Sequence, residues 1–282
     1  MTDTVDVVRV RLGLSYDGTD FSGWAIQPGL RTVQGELEAA LARMTPPGTA
    51  PRLTVAGRTD AGVHATGQVA HVDLPADVFA RLPGRSERSA EQALMDKCES
   101  MLAADLRVTT AEVVDSTFDA RFGAVWRRYV YRISDDPSTR APLQRDVYWH
   151  SRAVDEERLN EASQSLTGLR DFAPFCKARE GATTIRDLGE FSWRRSGGLL
   201  EGTVRADAFC HSMVRSIVGA VLPVADGRRD LSWLTALAGG ARRSAAVSVA
   251  PARGLTLAEV AYPPKEDWAA RAEATRAKRS LD

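Results

Sequence analysis

The stretch Gly57-Arg58-Thr59-Asp60-Ala61-Gly62-Val63-His64 stands between two segments that carry strand patterns. The apolar residues 53–56 precede it, and the alternating residues 68–74 follow it. This order predicts a strand, a tight loop and a second strand, with Asp60 held at the tip of the loop. Because loops on a rigid scaffold often carry chemistry, this acid is the first candidate for a functional side chain.

Elsewhere in the chain, strand and helix patterns follow one another in no regular order. Apolar side chains recur at every second position in residues 8–16, 125–133 and 255–262, which predicts three half-buried strands. Helical spacing follows two N-cap candidates, Thr32 and Asp155. The irregular order favours an α+β fold with a largely antiparallel sheet over a doubly wound α/β fold.

The two halves of the chain share strand and helix content, which predicts two similar lobes. Residues 1–115 form the lobe that carries the aspartate loop, and residues 116–262 form the second. Within the second lobe, Ser196-Gly197-Gly198 separates two strand patterns and predicts a β-hairpin. Residues 263–282 are charged and rich in alanine, which indicates a frayed or solvated helical tail.

Composition narrows the class of protein. The 282 residues are 44% hydrophobic, enough for a substantial core, and the net charge is +0, so any nucleic-acid binding needs a local basic face. Cys98, Cys176 and Cys210 form no CxxC pair, which argues against a disulfide framework or a zinc site. No signal peptide is visible, and no apolar run approaches the ~20 residues of a membrane span. These features predict a cytoplasmic protein with no membrane partner.

Three motifs together resemble the tRNA pseudouridine synthase A family. They are GRTDAGVHATGQVAHVD at residues 57–73, the aromatic and basic segment at residues 118–131, and FCHSMVRSIVG at residues 209–219. The resemblance covers roughly residues 8–262. It implies a cytoplasmic homodimer that isomerises uridine to pseudouridine in the anticodon stem-loop of tRNA, at positions 38–40, without a cofactor or metal. It also implies that the two lobes form one continuous sheet with a central RNA-binding cleft.

The resemblance assigns Asp60 as the catalytic residue and Arg58 as the residue that assists base flipping. An aspartate can attack the base, attack the sugar or abstract a sugar proton, and the sequence does not choose among these. Read without the resemblance, Asp60 is equally well a turn-forming residue. Arg58 is then a salt-bridge partner of Asp60 that makes no contact with RNA.

Aromatic and basic residues interleave in the second motif, a pattern that suits base stacking and phosphate contact. The family's active-site tyrosine falls on Tyr129, which would stack on the target uracil, and Arg121 would contact the RNA. The alternative is that Tyr129 and Tyr131 belong to a core, and Tyr131 is expected to do so. The residues assigned to RNA binding by the resemblance are Phe118, Asp119, Ala120, Arg121, Phe122, Arg179 and Arg186.

Arg215 lies in the third motif, within an otherwise apolar helical pattern. A buried guanidinium is costly unless it is paired, and Asp60 is the expected partner that it would keep ionised. The alternative is that Arg215 points to solvent. By resemblance, Leu255 lies near the base pocket.

The sequence departs from the family pattern at two places and leaves two other functions open. Ala25 replaces the usual glutamine, and residues 96–104 lack the usual asparagine and proline. A catalytically silent RNA-binding protein, or a synthase of the family with another RNA target, is the main alternative. A glycosidase-like hydrolase needs two facing carboxylates, and the nearest second one is Asp73 on the following strand.

Overall fold

The computed structural model describes residues 6–177 and 183–276. Helices and mostly antiparallel strands are mixed along the chain, which confirms the predicted α+β class. In chain order the strands and α-helices are β1 (Val7–Tyr16), α1 (Val33–Ala42), β2 (Thr54–Val55), β3 (His64–Pro75), α2 (Ala76–Arg81), α3 (Ala90–Met101), β4 (Leu106–Val114), β5 (Trp126–Ser134), β6 (Tyr148–Trp149), α4 (Glu156–Gln164), β7 (Gly168–Asp171), β8 (Ile185–Ser196), β9 (Leu199–Ala206), α5 (Met213–Ala225), α6 (Leu231–Ala238), β10 (Leu255–Ala261) and α7 (Trp268–Arg276).

The described chain divides into two compact units. The first contains residues 6–125 and 260–276, and the second contains residues 126–177 and 183–259. This division falls after residue 125, and the lobe bounds 1–115 and 116–262 stay a prediction. Phe118 belongs to the first unit, where it is fully buried against His71 of β3.

The predicted solvated tail begins with a packed helix. Trp268, the first residue of α7, is buried and its ring lies 4.9 Å from the Phe118 ring. Tyr262 donates a hydrogen bond from its hydroxyl to the Ala120 carbonyl at 2.7 Å. Residues 260–276 are thus part of the first unit, and residues 277–282 lie outside the described residues.

The sheet of the first unit has the strand order β4-β1-β3, with β2 also paired to β3, and all of these pairs are antiparallel. The alternation predicted for β1 is confirmed, since Val10, Leu12 and Leu14 are fully buried on one face. The N-cap predicted at Thr32 is also confirmed, because its side chain accepts a hydrogen bond from the Gly35 amide at the start of α1.

The sheet of the second unit has the order β10-β5-β9-β8-β7, and the short β6 pairs with β5 in parallel. The predicted hairpin joins β8 to β9, where Gly197 and Gly198 take φ values of 57° and 82°. Two successive positive φ angles are the requirement of a type I′ turn, which glycine meets without strain. Asp155 caps α4 as predicted, with its carboxylate accepting from the Arg158 amide.

Cys176 and Cys210 form a disulfide within the second unit, with their Cα atoms 5.7 Å apart. The expectation drawn from cysteine spacing was therefore wrong for this pair. A separation of 34 residues carries no signal by itself, and folding brings the two segments together. Next to the disulfide, the Lys177 amide donates to the His211 carbonyl at 3.2 Å. Cys98 is buried and free, and burial raises the pKa of its thiol to about 12.

Removing this disulfide should destabilise the second unit. For a loop of 34 residues, the loss of the cross-link is expected to cost about 3–4 kcal/mol in free energy of unfolding. The measurement is urea denaturation of wild type and Cys176→Ser without reductant. Dithiothreitol should lower the wild-type midpoint to that of the variant and leave the variant unchanged. A wild-type midpoint that does not respond to reductant would contradict the disulfide.

No helix in the two described ranges is both long enough and apolar enough to cross a membrane.

Candidate active site

The aspartate loop joins β2 to β3 in the first unit and ends in a tight turn. The Val63 amide donates to the Asp60 carbonyl at 3.2 Å, and Gly62 takes a φ of 76°. This is the position of a type II turn at which a positive φ favours glycine. Asp60 is half-buried at the first position of the turn, while Arg58 is exposed. The turn therefore leaves both side chains at the surface of the loop.

The segment that follows β1 supports this loop through main-chain contacts. The Trp24 amide donates to the Thr59 carbonyl at 3.0 Å, and the Gly62 amide donates to the Phe21 carbonyl at 3.3 Å. These two hydrogen bonds hold the loop on both sides of Asp60. The backbone around the acid is therefore fixed by tertiary contacts as well as by its own turn.

Glycine is required where this supporting segment approaches the loop. A Cβ atom on Gly18 would lie 2.0 Å from the Val63 carbonyl oxygen. Gly23 has a φ of 92°, and a Cβ atom there would lie 3.0 Å from the Thr59 carbonyl oxygen. The two glycines let one stretch of main chain lie directly against another.

Behind the loop, three polar side chains form a buried hydrogen-bonded chain. The Tyr16 hydroxyl lies 2.8 Å from Thr59 Oγ1, and the Gln68 amide nitrogen lies 3.2 Å from the Tyr16 hydroxyl and 2.7 Å from the Gly57 carbonyl oxygen. All three residues are buried. Burial raises the pKa of Tyr16 to about 12, so its phenol stays protonated at neutral pH.

In the second unit, Tyr129 lies on β5 opposite Val204 of β9. Its side chain is buried, and the Phe209 ring packs edge-on at 5.0 Å with an interplanar angle of 90°. Tyr131, two residues along, is fully buried and donates to the Pro251 carbonyl at 2.8 Å. Burial holds the pKa of Tyr131 above its usual range. The prediction that Tyr131 belongs to the core is confirmed.

Arg215 is half-buried in the first turn of α5, where its neighbours Val214 and Ser216 are buried. Its Nε donates to the Ala250 carbonyl at 2.7 Å, and its own carbonyl accepts from the Ala250 amide at 2.9 Å. The expected pairing of Arg215 with Asp60 stays a prediction. Leu255, the first residue of β10, is buried in the same unit.

The segment 118–122 divides into inward and outward residues. Phe118 and Ala120 have no exposed surface and pack inside the first unit, and their assignment to RNA binding stays a prediction. The Asp119 carboxylate accepts from the amides of Arg121 and Phe122 at 2.8 and 2.9 Å. Arg121 is exposed, and its guanidinium lies 5.0 Å from the Phe122 ring.

Of the two remaining arginines assigned to RNA, only Arg186 falls in the described residues. Its guanidinium donates to Thr183 Oγ1 at 3.1 Å and to the Thr183 carbonyl at 2.8 Å. Arg186 is half-buried, so these contacts hold it against the start of β8. Arg179 lies outside the described residues.

Comparison with known proteins identifies the family. The model of the family described as tRNA pseudouridine synthase matches residues 162–263. The protein named tRNA pseudouridine synthase A from Cutibacterium acnes is 52% identical over 278 residues, covering 97% of this chain and 96% of the relative. The chain belongs to the tRNA pseudouridine synthase A family. The proteins of that name from Streptomyces griseus and Mycobacterium leprae are 50% and 47% identical, each over 97% of this chain and 95% and 96% of the relative.

Membership makes this chain an isomerase of the pseudouridine synthase class. No function was predicted from the sequence for Tyr16-Asp17-Gly18-Thr19 or for Gly23-Trp24. In the structure, Tyr16 and Trp24 form hydrogen bonds to the aspartate loop, and Gly18 and Gly23 allow the close approach of main chain to it. Their glycines were a usable signal, because two glycines close together at the end of a strand indicate a close approach of main chain. The contact between Tyr16 and Gln68 had no such signal.

Proposed function

We propose that this chain isomerises uridine to pseudouridine in the anticodon stem-loop of tRNA, at positions 38–40, and that Asp60 is its catalytic residue. One observation carries the assignment to Asp60. In a chain of this family, the half-buried Asp60 starts a turn that main-chain hydrogen bonds hold on both sides. An acid fixed in this way is preorganised to meet a substrate, whereas a solvent-facing turn former needs no such support.

The reaction rearranges one nucleotide without a change in mass. The bond from N1 of uracil to C1′ of the ribose breaks, the base turns, and a bond from C5 to C1′ forms. C5 loses its proton and N1 gains one. The carboxylate can attack the base, attack the sugar or remove a sugar proton, and all three courses need it ionised. Because duplex stacking hides the target, the nucleotide must first leave the stack.

The other proposed roles fall to residues with suitable surfaces. Arg58 is exposed two residues before Asp60, where its planar guanidinium suits the space left by a flipped base. Arg121 and Phe122 present a cation and an aromatic face side by side, which suits single-stranded RNA. Asp119 positions both through their amides. Arg186 and Arg179 are proposed RNA contacts, and Leu255 a wall of the base pocket.

The proposed reaction is tested by tritium release from tRNA labelled at C5 of uridine. Isomerisation frees the C5 hydrogen, so release reports the reaction itself. Wild-type protein should release tritium from transcripts that carry uridine at positions 38–40 and not from transcripts with cytidine there. If neither kind of transcript released tritium, the result would favour the alternative of a catalytically silent RNA-binding protein. Release of free uracil would instead indicate a hydrolase.

Replacing Tyr129 with phenylalanine should slow turnover more than it weakens tRNA binding. The ring would still stack on the uracil, but the variant lacks the hydroxyl, which we propose helps to move the C5 proton. General acid–base catalysis contributes typically ~10²–10⁴-fold, and we expect a loss of turnover in that range. The control is Tyr148→Phe, which removes the hydroxyl of a half-buried tyrosine on the short strand β6. A Tyr129→Phe enzyme with wild-type turnover would restrict Tyr129 to packing and stacking.

We also propose that the enzyme acts in the cytoplasm as a homodimer, as the resemblance implies. Its neutral net charge supports binding through a local basic surface rather than through overall charge. Sedimentation of the protein alone and with tRNA tests the dimer: a monomer in both states would refute it.

A further inference from the structure

We infer that Tyr16, Thr59 and Gln68 are positioning residues, whose buried hydrogen-bonded chain sets the placement of Asp60 for catalysis. The inference rests on the proposed catalytic role of Asp60. None of the three side chains is proposed to touch the substrate. Their hydrogen bonds hold Gly57 and Thr59, two of the three residues before Asp60, from the side of the loop that faces the core of the first unit.

The side-chain amide of Gln68 can take only one orientation among these hydrogen-bond partners. Its amide nitrogen lies within hydrogen-bond distance of the Gly57 carbonyl oxygen, which can only accept, so the NH₂ group must point toward the loop. Its two hydrogens are then used by Gly57 and the Tyr16 hydroxyl. The amide oxygen accepts from the Val69 amide at 3.2 Å. A fully buried side chain whose two donor hydrogens and acceptor oxygen are all hydrogen-bonded has a single defined position.

The available hydrogens also decide which group donates in each of these side-chain hydrogen bonds. The Tyr16 hydroxyl accepts from Gln68, so its own hydrogen needs an acceptor, and Thr59 Oγ1 at 2.8 Å provides one. The raised pKa of Tyr16 keeps that hydrogen in place at neutral pH. Thr59 is therefore held twice, by this side-chain contact and by its carbonyl, which accepts from Trp24.

An irregularity in the sheet places Gln68 beneath the loop. In the pairing of β1 with β3, Leu14 lies opposite Gln68 and Tyr16 lies opposite Ala65. Strand β3 thus has one residue more than β1 in this interval, which is a β-bulge. Bulges redirect side chains and are common beside active sites. Here the bulge lies where Tyr16 and Gln68 meet the aspartate loop.

Packing alone would not need these polar groups. Phenylalanine, valine and methionine have shapes similar to those of Tyr16, Thr59 and Gln68, and they need no buried hydrogen bonds. The polar side chains instead form hydrogen bonds with Gly57 and Thr59, the residues on either side of Arg58. Thr59 is also the residue directly before Asp60. A small displacement of a catalytic group greatly lowers the reaction rate. We therefore expect these hydrogen bonds to contribute to catalysis by fixing the position of Asp60.

The test compares Tyr16→Phe and Thr59→Val with Thr59→Ser, which keeps the hydroxyl. In the tritium-release assay, the first two should lower kcat by about 10- to 100-fold while the KM for tRNA stays close to wild type. Thr59→Ser should retain kcat near wild type. Ser163→Ala removes another buried hydroxyl, which accepts from Trp193 Nε1 at 2.9 Å in the second unit, and should leave kcat unchanged.

Hydrogen exchange gives a readout that does not depend on turnover. The Gly62 and Val63 amides are hydrogen-bonded in the loop, and they should exchange faster in Tyr16→Phe than in wild type, while amides of the β8–β9 hairpin exchange at wild-type rates. Wild-type kcat and wild-type loop exchange in Tyr16→Phe and Thr59→Val would overturn the inference. An inactive wild-type protein would refute the proposed function, and loop exchange would still decide whether the chain positions Asp60.

Discussion

Asp60→Ala is expected to lose turnover by about 10²–10⁴-fold or more, while the protein keeps its fold and its affinity for tRNA. The contacts that hold the loop near Asp60 use main-chain atoms of Thr59, Asp60 and Gly62. An alanine can make the same main-chain contacts. The substitution therefore removes the carboxylate and its contacts but leaves the main-chain support of the loop in place, so a loss of turnover reports the role of the carboxylate.

Single-turnover tritium release and tRNA binding should be measured on the same preparations of wild type and Asp60→Ala. The matched control is Asp115→Ala, because Asp115 is an exposed turn aspartate of the same unit whose carboxylate accepts from the Thr117 amide. Its turnover should match wild type. If Asp60→Ala retained turnover, Asp60 would not be the catalytic residue. If the variant lost tRNA binding, Asp60 would be needed to form the complex with tRNA rather than for the reaction.

The same variant tests the proposed ion pair between Asp60 and Arg215. Arg215→Gln should lower the free energy of unfolding in wild type and by less in Asp60→Ala, because a pair already broken cannot be broken again. Equal losses in the two backgrounds would mean that the two side chains are not coupled. The hydrogen bond from Arg215 to the Ala250 carbonyl would be present in either case.

Phe118→Ala is expected to lower the free energy of unfolding of the first unit by about 3–5 kcal/mol. The Phe118 ring is fully buried, 4.9 Å from both the Tyr262 and Trp268 rings and 6.0 Å from the His71 ring. Removal of the ring leaves a cavity. The surrounding rings of His71, Tyr262 and Trp268 cannot move in to fill it, because they belong to different segments of the chain. The Arg11 guanidinium, 5.4 Å from the ring, would also lose a partner.

The control for this prediction is Phe122→Ala, in the same segment. Phe122 is half-buried beside the exposed Arg121, so its loss should cost about 1 kcal/mol or less and should weaken tRNA binding. Urea denaturation and tRNA binding of both variants separate the two roles. Equal stability losses, or a Phe118→Ala protein as stable as wild type, would contradict the assignment of Phe118 to the core.

Local patterns predicted the parts of the fold whose causes are local. The alternation of β1, the caps at Thr32 and Asp155 and the two-glycine hairpin depend on residues a few positions apart, and the structure confirms them. The aspartate loop was found in the same way, from one acid among glycines between two strands. Its family resemblance extended the prediction to chemistry.

Features that depend on contacts between distant residues could not be predicted from the sequence. Phe118 was assigned to RNA binding because its segment interleaves aromatic and basic residues, and its burial involves Tyr262 and Trp268, far along the chain. A weak signal was present: Trp268 and Ala272 are spaced as one face of a helix, and both are buried. The pairing of Cys176 with Cys210 gave no signal at all, because nothing in a spacing of 34 residues specifies a contact.

The first unit is made from two separate pieces of chain, and this has a consequence for biosynthesis. A ribosome finishes residues 6–125 well before it reaches residues 260–276, so the nascent aspartate unit waits for its last helix while the whole second unit is being made. Until then the Phe118 side chain lacks the cover of Tyr262 and Trp268. A message cut short by a late stop codon would therefore encode an intact GRTDAGVH loop on an incompletely folded unit.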